Sequence, residues 1–373
     1  MSSARPGTEH WPASPADWED RAAAALPPEC FDYFAGGSGG EVTLRANVEA
    51  FERVRLWPHV LTGNTEPDLS VTLLGERVPA PFLLAPVGVL ELAHHDAELA
   101  VAHACGALGI PMVTGTAASR PLEDVATALG PTPRWFQLYW LTDREVVASL
   151  VRRAEAAGFS AIVLTVDMPV RGTRERDVRN RFVETVTTMG VAQITSDPVF
   201  RAGLATSPED DPEAAAAAAA ALHANHLLDW EQLAWLVDAT DLPVLVKGVL
   251  RPDDAERALA AGAGGVVVSN HGGRQLDGAV ASLDALVEVR RALGDAALVL
   301  MDGGVRRGAD VVKALALGAN AVLIGRLYVW ALALGGREGV EHLLRSLIAD
   351  VEVALALVGA GAATGVDESL LHC

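Results

Sequence analysis

The stretch SNHGGRQLDGA, residues 269–279, places a histidine and an arginine three positions apart among glycines. It continues the apolar run GGVVV, which is typical of a buried β-strand. A histidine can take up a proton near neutral pH, and an arginine can hold a carboxylate through two parallel hydrogen bonds. His271 and Arg274 are therefore candidates for a base and a carboxylate-binding group. A lone histidine at a strand end is more often structural, so this hypothesis needs further polar residues nearby.

Such residues follow other predicted strands. Asp167 ends SAIVLTVD and is suited to orient the imidazole of His271 and to stabilise its protonated form. Lys247 follows PVLV and has two interpretations, a Schiff-base lysine or a cation facing an electron-rich cofactor, which its spacing does not separate. Further candidates at strand ends are Pro86, Val87, Gly88, Gln137, Tyr139 and Thr165.

Two glycine- and arginine-rich segments, DGGVRRG at 302–308 and IGR at 324–326, follow the last two predicted strands. Glycine lets backbone N–H groups approach an anion, a following helix presents its positive end, and arginine adds charge. We therefore predict a phosphate site here; the alternative is that the glycines only form tight turns. The predicted phosphate-binding residues are Asp302, Gly303, Gly304, Arg306, Gly325 and Arg326.

No metal site is predicted. AHHDAE, residues 93–98, contains two histidines, but adjacent histidines at a helix start hardly converge on one ion, and no third ligand follows at helical spacing. We interpret Asp96 and Glu98 as complements of the positive end of a helix.

The elements that must position these residues form a repeated β–α pattern. It predicts a parallel α/β fold of the TIM (β/α)8 barrel type, whose chemistry takes place at the carboxyl ends of the strands. A doubly wound sheet is the alternative, but no Gly-x-Gly-x-x-Gly opens a helix after the first strand. The eight predicted strands are PFLLAPV, IPMVTG, RWFQLYW, SAIVLTVD, LPVLVKG, GGVVVSN, ALVLMDGG and AVLIGR.

Two regions interrupt this pattern. Residues 1–75 are predicted to form an N-terminal helical extension packed on the barrel, which occupies residues 76–373. A long insertion after the fourth strand, at about 171–242, is predicted to be a lid-like segment with a helical alanine run, at the place where a mobile lid would lie.

Composition limits the possible partners and surroundings. A net charge of −19 argues against nucleic acid but not against a small anion in a locally basic pocket. Cys30, Cys105 and Cys373 are too few and too scattered for a disulfide framework, which favours a reducing cytoplasm. Neither a secretory signal nor an apolar run of membrane-spanning length is present, so no membrane association is predicted.

Together, SNHGGRQLDGA, LPVLVKG, LTVDMP, WFQLYW and DGGVRRGADVVKALALGA resemble the FMN-dependent L-2-hydroxy acid oxidase and dehydrogenase family. The similarity runs from about residue 31 to 361. APVGVLELAHHDAELAVA and ITSDPVFRAGL are most similar to the lactate 2-monooxygenase branch. The resemblance implies FMN as cofactor, a small L-2-hydroxy acid as substrate, molecular oxygen as acceptor and a homo-oligomer, either tetramer or octamer.

The resemblance also implies a role for each matching residue. His271 would be the base, with Asp167 as its partner, and no residue decides whether the α-hydrogen leaves as proton or hydride. Arg274, Arg174, Tyr33 and Tyr139 would bind the substrate. Lys247 would stabilise the reduced flavin, which removes the Schiff-base interpretation. Gln137 and Thr165 would bind the flavin ring, together with Pro86, Val87 and Gly88, and the arginine-rich segments would hold the ribityl phosphate.

Three small residues depart from most of that family. Gly115 replaces a serine that touches the flavin, so Thr114 or Thr116 is the candidate to supply a hydroxyl. Ala117 stands where glycolate oxidase has a tryptophan, which implies a roomier substrate pocket, and Gly88 is the residue found in the monooxygenase branch.

The leading hypothesis is therefore an oxidase, with possible decarboxylation of the product before release. The alternatives are a dehydrogenase with another electron acceptor and a flavin-binding protein without catalytic activity.

Overall fold

The computed structural model describes residues 11–182, 188–222 and 228–372. Its amino-terminal part combines three helices with short strands. Ser14 caps the first helix, accepting a hydrogen bond from the amide of Asp17, and proline opens both of the first two helices. These elements are α1 (Pro15–Ala25), α2 (Pro28–Ala35), α3 (Val42–Arg53), β1 (Arg55–Leu56), β2 (Val71–Leu73) and β3 (Glu76–Val78).

The β2–β3 hairpin crosses the predicted domain boundary at residue 75. Leu74 and Gly75 form its turn with φ of 51° and 83°, so Gly75 continues an antiparallel hairpin instead of ending the extension. The first part of the predicted extension, residues 1–10, lies outside the described residues.

Eight parallel strands follow and close into a barrel. They pair in chain order, and the last closes on the first through Val322 with Phe82 and Ile324 with Leu84. The TIM-barrel prediction is confirmed; seven strands lie inside the predicted runs, and the fifth extends one residue beyond LPVLVKG, to Val249. The strands are β4 (Phe82–Leu84), β5 (Met112–Gly115), β6 (Arg134–Tyr139), β7 (Ala161–Thr165), β8 (Val244–Val249), β9 (Gly265–Val268), β10 (Val299–Asp302) and β11 (Ala321–Ile324).

The sequence of these strands explains their position. Every residue of AIVLT in β7 and of GVVV in β9 is buried. Strands of a parallel barrel are covered on both faces, so they are continuously apolar instead of alternating. The polar residues therefore gather where the strands end.

Helices cover the outside of the barrel. Asp143 caps the helix after β6 through the amides of Glu145 and Val146, and Gly109 ends the helix after β4 with φ of 69°. The covering helices are α4 (Ala97–Leu108), α5 (Leu122–Leu129), α6 (Arg144–Ala156), α12 (Pro252–Ala260), α13 (Ser282–Leu293), α14 (Gly308–Ala316) and α15 (Arg326–Val358).

Within its described residues, the insertion after β7 carries five helices, including the predicted alanine-rich one. They are α7 (Glu175–Arg179), α8 (Ala192–Thr195), α9 (Pro198–Ala202), α10 (Pro212–Leu222) and α11 (Trp230–Asp238). Residues 183–187 and 223–227 of the predicted lid lie outside the described residues.

A buried polar network attaches α8 and α9 to the barrel helices. Asp197 is fully buried, accepts a hydrogen bond from Ser149 at 2.8 Å and lies 3.3 Å from a guanidinium nitrogen of Arg153. Arg153 also donates to the Gln193 carbonyl and holds both oxygens of Glu123. Buried polar groups with satisfied partners rigidify a segment, so this part of the insertion is anchored.

The carboxyl-terminal helix α15 is kinked at Gly335 and Gly336, whose backbone angles are not helical. A side chain at Gly335 would collide with Trp11, so the amino-terminal segment packs directly on the kink. The last strand, β12 (Leu371–His372), pairs antiparallel with β1. In the part of the chain that the structure describes, no helix is long and apolar enough to cross a membrane.

Candidate active site

A deep cavity opens at the carboxyl ends of the barrel strands. It holds about 1060 Å³, its open mouth included. Except for Asp167, which lies behind His271, every residue predicted for the site lines this one cavity. These lining residues are Tyr33, Pro86, Val87, Gly88, Gln137, Tyr139, Thr165, Arg174, Lys247, His271, Arg274, Asp302, Gly303, Gly304, Arg306, Gly325 and Arg326.

A left-handed turn after β9 presents His271 to the cavity. His271, Gly272 and Gly273 have φ of 60°, 62° and 76°, a conformation that glycine adopts freely and histidine rarely does. The Asn270 side chain accepts the amide of Gly273 and so closes the turn. Strain of this kind persists only where the surroundings impose it, and it concentrates at functional sites.

The His271 ring is held by Asp167. Its Nδ1 lies 2.9 Å from Oδ1 of Asp167, and an ionised carboxylate can only accept, so Nδ1 carries the hydrogen. Nε2 is then left as an acceptor on the cavity side, 3.4 Å from the Tyr139 hydroxyl. Burial opposes ionisation of Asp167, but the attraction of His271, its hydrogen bond and Lys247 hold the pKa of Asp167 below its ordinary value.

Tyr139, at the end of β6, is a hydroxyl donor in this site. Burial, followed by the nearby charge of Asp167, raises the pKa of Tyr139 above its ordinary value. The phenol therefore stays protonated at physiological pH.

Two arginines approach the His271 region from opposite sides. Arg274 donates to the backbone carbonyls of Tyr33 at 2.6 Å and Gly36 at 2.7 Å, and its guanidinium lies over the Tyr33 ring. Arg174 is 8% exposed; burial, followed by repulsion from Arg274, lowers its pKa to about 9. Both guanidinium groups are largely withdrawn from water, and the carboxylate nearest Arg174, that of Asp177, lies 3.8 Å away, which favours an anion between the two arginines.

Lys247 belongs to a buried hydrogen-bonded triad. Its ammonium lies 2.7 Å from Asp302 Oδ2 and donates to Ser269 Oγ at 2.8 Å, while Ser269 donates to Asp302 Oδ1 at 2.5 Å. Lys247 is therefore an ion-paired cation in this structure. Ser269 was missed as a site residue although it begins the SNHGG motif; its position at the end of β9 was the available signal.

Arg306 and Arg326 line the same cavity. Arg326 donates to the carbonyls of Phe34, Gly36 and Gly272 at 3.0 to 3.2 Å. Burial, together with repulsion from Arg274 and Arg306, lowers the pKa of Arg326 well below its ordinary value. Burial likewise lowers the pKa of Arg306.

The amides at the start of α14 have partners within the chain. The amides of Arg306 and Arg307 both donate to Asp310 Oδ2 at 3.0 Å, and the Gly308 amide donates to Asp350. The contribution of this helix end and of the glycine amides to anion binding stays a prediction.

Gly303 and Gly304 fit both interpretations given to them, a tight turn and part of an anion-binding wall. Their φ angles are 97° and 89°, and a side chain on Gly304 would collide with the Asn47 carbonyl of α3. They form the tight turn and let α3 pack closely, and they still line the cavity.

The middle of the cavity is narrow and built from small or fixed residues. The Gln137 side chain donates to Thr165 Oγ1 at 3.0 Å and accepts the Thr116 amide at 3.2 Å. Thr114 and Thr116 are fully buried and not among the lining residues; the Thr116 hydroxyl donates to the Gln137 carbonyl. Neither threonine can replace the hydroxyl that Gly115 lacks.

Apolar lining residues were the ones that the sequence did not single out. Their types are common throughout the core, so only the closed barrel distinguishes them. They are Phe34, Ala85, Val305, Leu323 and Val329.

The charges that line the cavity suit two bound anionic groups. Among the residues that the structure describes, five cationic side chains and one carboxylate line it, in a chain of net charge −19. Arg306 and Arg326 suit a phosphate, and Arg174 and Arg274 suit a carboxylate. The second oxygen of Asp167 is buried without a hydrogen-bond partner, so the site retains unsatisfied polar capacity.

The AHHDAE segment forms a surface cluster apart from this cavity. The ligand-type atoms of His94, His95 and Asp96 lie within 4.8 Å of one another, so adjacent histidines approach more closely than predicted. His94 Nδ1 already accepts the Asp96 amide at 3.2 Å. Glu98 does not face solvent at the helix end but is buried, accepting the amide of Ser119 at 3.0 Å.

Comparisons with known proteins agree with this geometry. Residues 22–373 match the family model described as FMN-dependent dehydrogenase. An L-lactate oxidase of Nostoc sp. is 44% identical, over 95% of this chain and 97% of that protein. A 4-hydroxymandelate oxidase of Amycolatopsis orientalis is 45% identical, over 92% of this chain and 94% of that protein.

A solved structure of mandelate oxidase with (S)-4-hydroxymandelic acid superposes with a TM-score of 0.86 at 43% identity, covering 97% of this chain and 98% of that one. The resemblance to the FMN-dependent family is confirmed, while the similarity to the lactate 2-monooxygenase branch stays a prediction. The chain belongs to the family of FMN-dependent dehydrogenases, and FMN is its cofactor.

Proposed function

We propose that this protein is an FMN-dependent oxidase that converts an L-2-hydroxy acid to the 2-keto acid and reduces molecular oxygen. The observation that carries the proposal is that Nε2 of His271 faces the same cavity as the guanidinium groups of Arg174 and Arg274. A base beside a carboxylate-binding pair is what a 2-hydroxy acid requires. Relatives named L-lactate oxidase, 2-hydroxyacid oxidase 1 and 4-hydroxymandelate oxidase support this activity.

FMN fits the remainder of the cavity. Arg306 and Arg326, with Gly303, Gly304 and Gly325, would hold its phosphate, and Gln137 and Thr165 would contact its ring with Pro86, Val87 and Gly88. Lys247 would place a positive charge beside the ring. When bound, FMN supplies the two-electron acceptor of the oxidation and the site at which oxygen is reduced.

His271 takes a proton from the substrate at Nε2. Asp167 holds the ring in the tautomer that leaves Nε2 free to accept and stabilises the imidazolium that forms. Tyr139, protonated and 3.4 Å from Nε2, donates to a substrate oxygen. Arg174, Arg274 and Tyr33 bind the substrate carboxylate, which fixes the α-carbon relative to His271.

Gly88 and Ala117 are the small residues beside which the substrate side chain would lie. A Cβ added to Gly88 would lie 3.0 Å from Ala117 Cβ and 3.7 Å from the Tyr33 hydroxyl, so these three residues meet at one point. With glycine and alanine there, we propose that the enzyme accepts substrates larger than glycolate, including aryl-substituted acids. Release of the keto acid together with peroxide is the proposed outcome, and decarboxylation before release is the monooxygenase alternative.

The proposal includes a cytoplasmic homo-oligomer, a tetramer or octamer. The free thiols of Cys30 and Cys105 suit a reducing compartment, and the family resemblance suggests the assembly. Cys373 lies outside the described residues. Light scattering during gel filtration tests the assembly, and a monomeric mass would contradict it; fractionation against a cytoplasmic marker tests the location.

The deciding experiment is anaerobic mixing of the purified yellow holoenzyme with the L and D forms of lactate and mandelate. We expect an L-acid, but not its D-enantiomer, to bleach the flavin absorbance. Air should then restore the colour with one peroxide per keto acid; carbon dioxide in place of peroxide would favour the monooxygenase.

Two results would favour the alternatives. Turnover with a dye but not with oxygen would indicate a dehydrogenase. If no L-2-hydroxy acid reduced the flavin and His271→Ala left the cellular role intact, the protein would be a flavin-binding protein without this activity.

A further inference from the structure

Two proposed substrate contacts lie outside the barrel strands. Tyr33 is on α2 in the amino-terminal extension, and Arg174 immediately precedes α7 in the insertion. The barrel itself does not fix the distance between them. Their relative position depends on what joins α2 to α7.

Arg176 contributes to that connection, beside the Asn180 side chain, which donates to Asp32 Oδ2 at 2.8 Å, and the ring of Phe182, which stacks on Tyr33. Its Nη1 lies 3.2 Å from Asp32 Oδ1, and its Nε and Nη2 each lie 2.8 Å from one oxygen of Glu41. Asp32 immediately precedes Tyr33, and Arg176 is two residues after Arg174. The guanidinium of Arg176 is not part of the cavity wall, so any effect it has on ligand binding is indirect.

Neighbouring contacts extend the same connection. Glu41 also accepts the Gly37 amide at 3.0 Å, and the Gly39 amide donates to the Thr173 carbonyl at 2.8 Å. Gly36, whose carbonyl receives Arg274, packs against Arg176: a Cβ there would lie 3.3 Å from Cδ of the arginine. The segment from Gly36 to Glu41 therefore joins Arg176 to the backbone carbonyl that accepts a hydrogen bond from Arg274.

Electrostatics shows why such a connection is needed. Arg174 and Arg274 are like charges facing one cavity, and each destabilises the other's charge in the absence of an anion. Arg174 has weak attachments: Nε lies 3.4 Å from the Arg274 carbonyl, and Nη1 lies 3.8 Å from Asp177. Repulsion thus acts to move α7 outward, and the two-carboxylate pairing of Arg176 opposes that movement.

We propose that Arg176, Asp32 and Glu41 form a charge clamp that positions Arg174 and Tyr33 for the substrate carboxylate. Arg176 is a positioning residue, not a catalytic one. The clamp lowers the cost of assembling the carboxylate site because it holds the two arginines close before the anion arrives. This inference rests on the proposed function for its substrate, but its central prediction concerns binding of a carboxylate.

The test compares R176A with R201A in the FMN-loaded enzyme. Arg201 also pairs with both oxygens of one carboxylate, that of Glu209, and is 35% exposed against 30% for Arg176. It lies in the same insertion but not on the cavity wall. We expect R176A to raise KM for the L-2-hydroxy acid about ten-fold and kcat to change less than about two-fold, because ground-state binding is what the clamp assists.

A second readout does not require turnover. Oxalate carries carboxylates and no α-hydrogen, and calorimetric titration gives its dissociation constant. R176A should weaken oxalate about as much as it raises KM, R201A should leave both unchanged, and R176K, which retains the charge without the planar fork, should fall between. E41Q and R176A together should cost less than the sum of their separate effects.

Three results would overturn the clamp: unchanged oxalate affinity in both R176A and R176K, an equal loss in R201A, or a loss in R176A that merely follows loss of bound FMN. Failure of the proposed function is distinguishable. In that case the wild-type flavin is not reduced by any L-2-hydroxy acid, while the ratio of oxalate affinities between wild type and R176A still reports on the clamp.

Discussion

Asp167 influences the cavity through its hydrogen bond to His271. A neighbouring glycine leaves the space that the Asp167 side chain occupies. Gly248 has φ of 107°, and a Cβ on it would lie 2.6 Å from Cβ of Asp167. The glycine that follows Lys247 thus leaves room for the partner of the base. Asp167 could be predicted because it ends a strand, whereas the need for Gly248 depends on how two neighbouring strands approach each other.

Asp167→Asn should lower kcat by roughly 10²- to 10⁴-fold, the range expected for loss of a general acid–base function. An amide has nearly the size of the carboxylate but cannot stabilise the imidazolium. Stopped-flow flavin reduction under nitrogen measures the effect. Asp284→Asn, at a surface ion pair with Arg53, is the control; an equal loss there, or full activity of the Asp167 variant, would contradict this role.

Glu98 should make stability depend on pH. Burial raises its pKa from 4.5 to about 7, and the hydrogen bond from the Ser119 amide opposes that rise. Among charged residues, Arg120 lowers the pKa of Glu98 and Glu91 raises it. Below pH 4.5 the carboxyl is neutral in both folded and unfolded chains. As pH rises to about 7 the unfolded chain ionises first, so the buried group increasingly favours unfolding, and the penalty is constant above that.

Glu98→Gln should therefore be more stable than wild type at pH 8, by about 3 kcal/mol from the size of the shift, and nearly equal to it at pH 4.5. Urea unfolding of the holoenzyme at both values measures this. Glu288→Gln, at a surface helix position, should show no such difference between the two pH values. A wild type more stable than Glu98→Gln at pH 8 would contradict the prediction.

At the scale of elements, periodicity predicted the barrel, whereas packing between distant segments could not be predicted. AIVLT and GVVV have the continuous apolar character of parallel strands, so their burial followed from sequence alone. Nothing local indicates that Gly273 touches α3 or that Asn47 lies against Gly304. The lid-like character of the insertion stays a prediction. Nothing in its sequence indicates that Asp197 and Gln193 are fully buried, with hydrogen-bond partners more than 40 residues away.

The turn after β9 offers a matched pair of glycines for a test. A Cβ on Gly273 would lie 2.6 Å from the Leu44 amide nitrogen of α3, whereas Gly278 has nothing within 4 Å, and φ is positive at both, 76° and 81°. Gly278→Ala should cost only backbone strain, about 1 kcal/mol. Gly273→Ala should cost about 3 kcal/mol or more, because strain and collision add.

Denaturant unfolding measures both variants. If they cost the same, the close approach of α3 is not what requires Gly273.

At the scale of the whole molecule, four arginines converge on one cavity of an acidic protein. Composition gave the total of −19, and the motifs suggested where arginines would gather. Spacing alone could not reveal that Arg174, Arg274, Arg306 and Arg326 line one cavity, since they come from three separate regions of the chain. Their convergence makes the folded state depend on its anions.

Removing FMN should therefore lower the melting temperature by several degrees. A ligand at about 1,000 times its dissociation constant stabilises the fold by about 4 kcal/mol. Millimolar phosphate should restore part of the loss and chloride of equal ionic strength should not, because phosphate can bind between Arg306 and Arg326. Scanning fluorimetry of holoenzyme and dialysed protein measures the difference. An apoprotein whose melting temperature does not change with phosphate would contradict the assignment of Arg306 and Arg326 as the phosphate site.

The pairing of β11 with β4, which closes the barrel, has a consequence for synthesis of the protein. Residues 322–324 close a barrel that begins with residues 82–84, and β12 pairs with β1. A growing chain on the ribosome therefore carries open sheet edges and an incomplete flavin pocket until most of its length has emerged. Open edges and exposed apolar strands favour aggregation. The nascent chain thus depends most on chaperones before β11 pairs with β4. FMN can be captured only after that pairing forms.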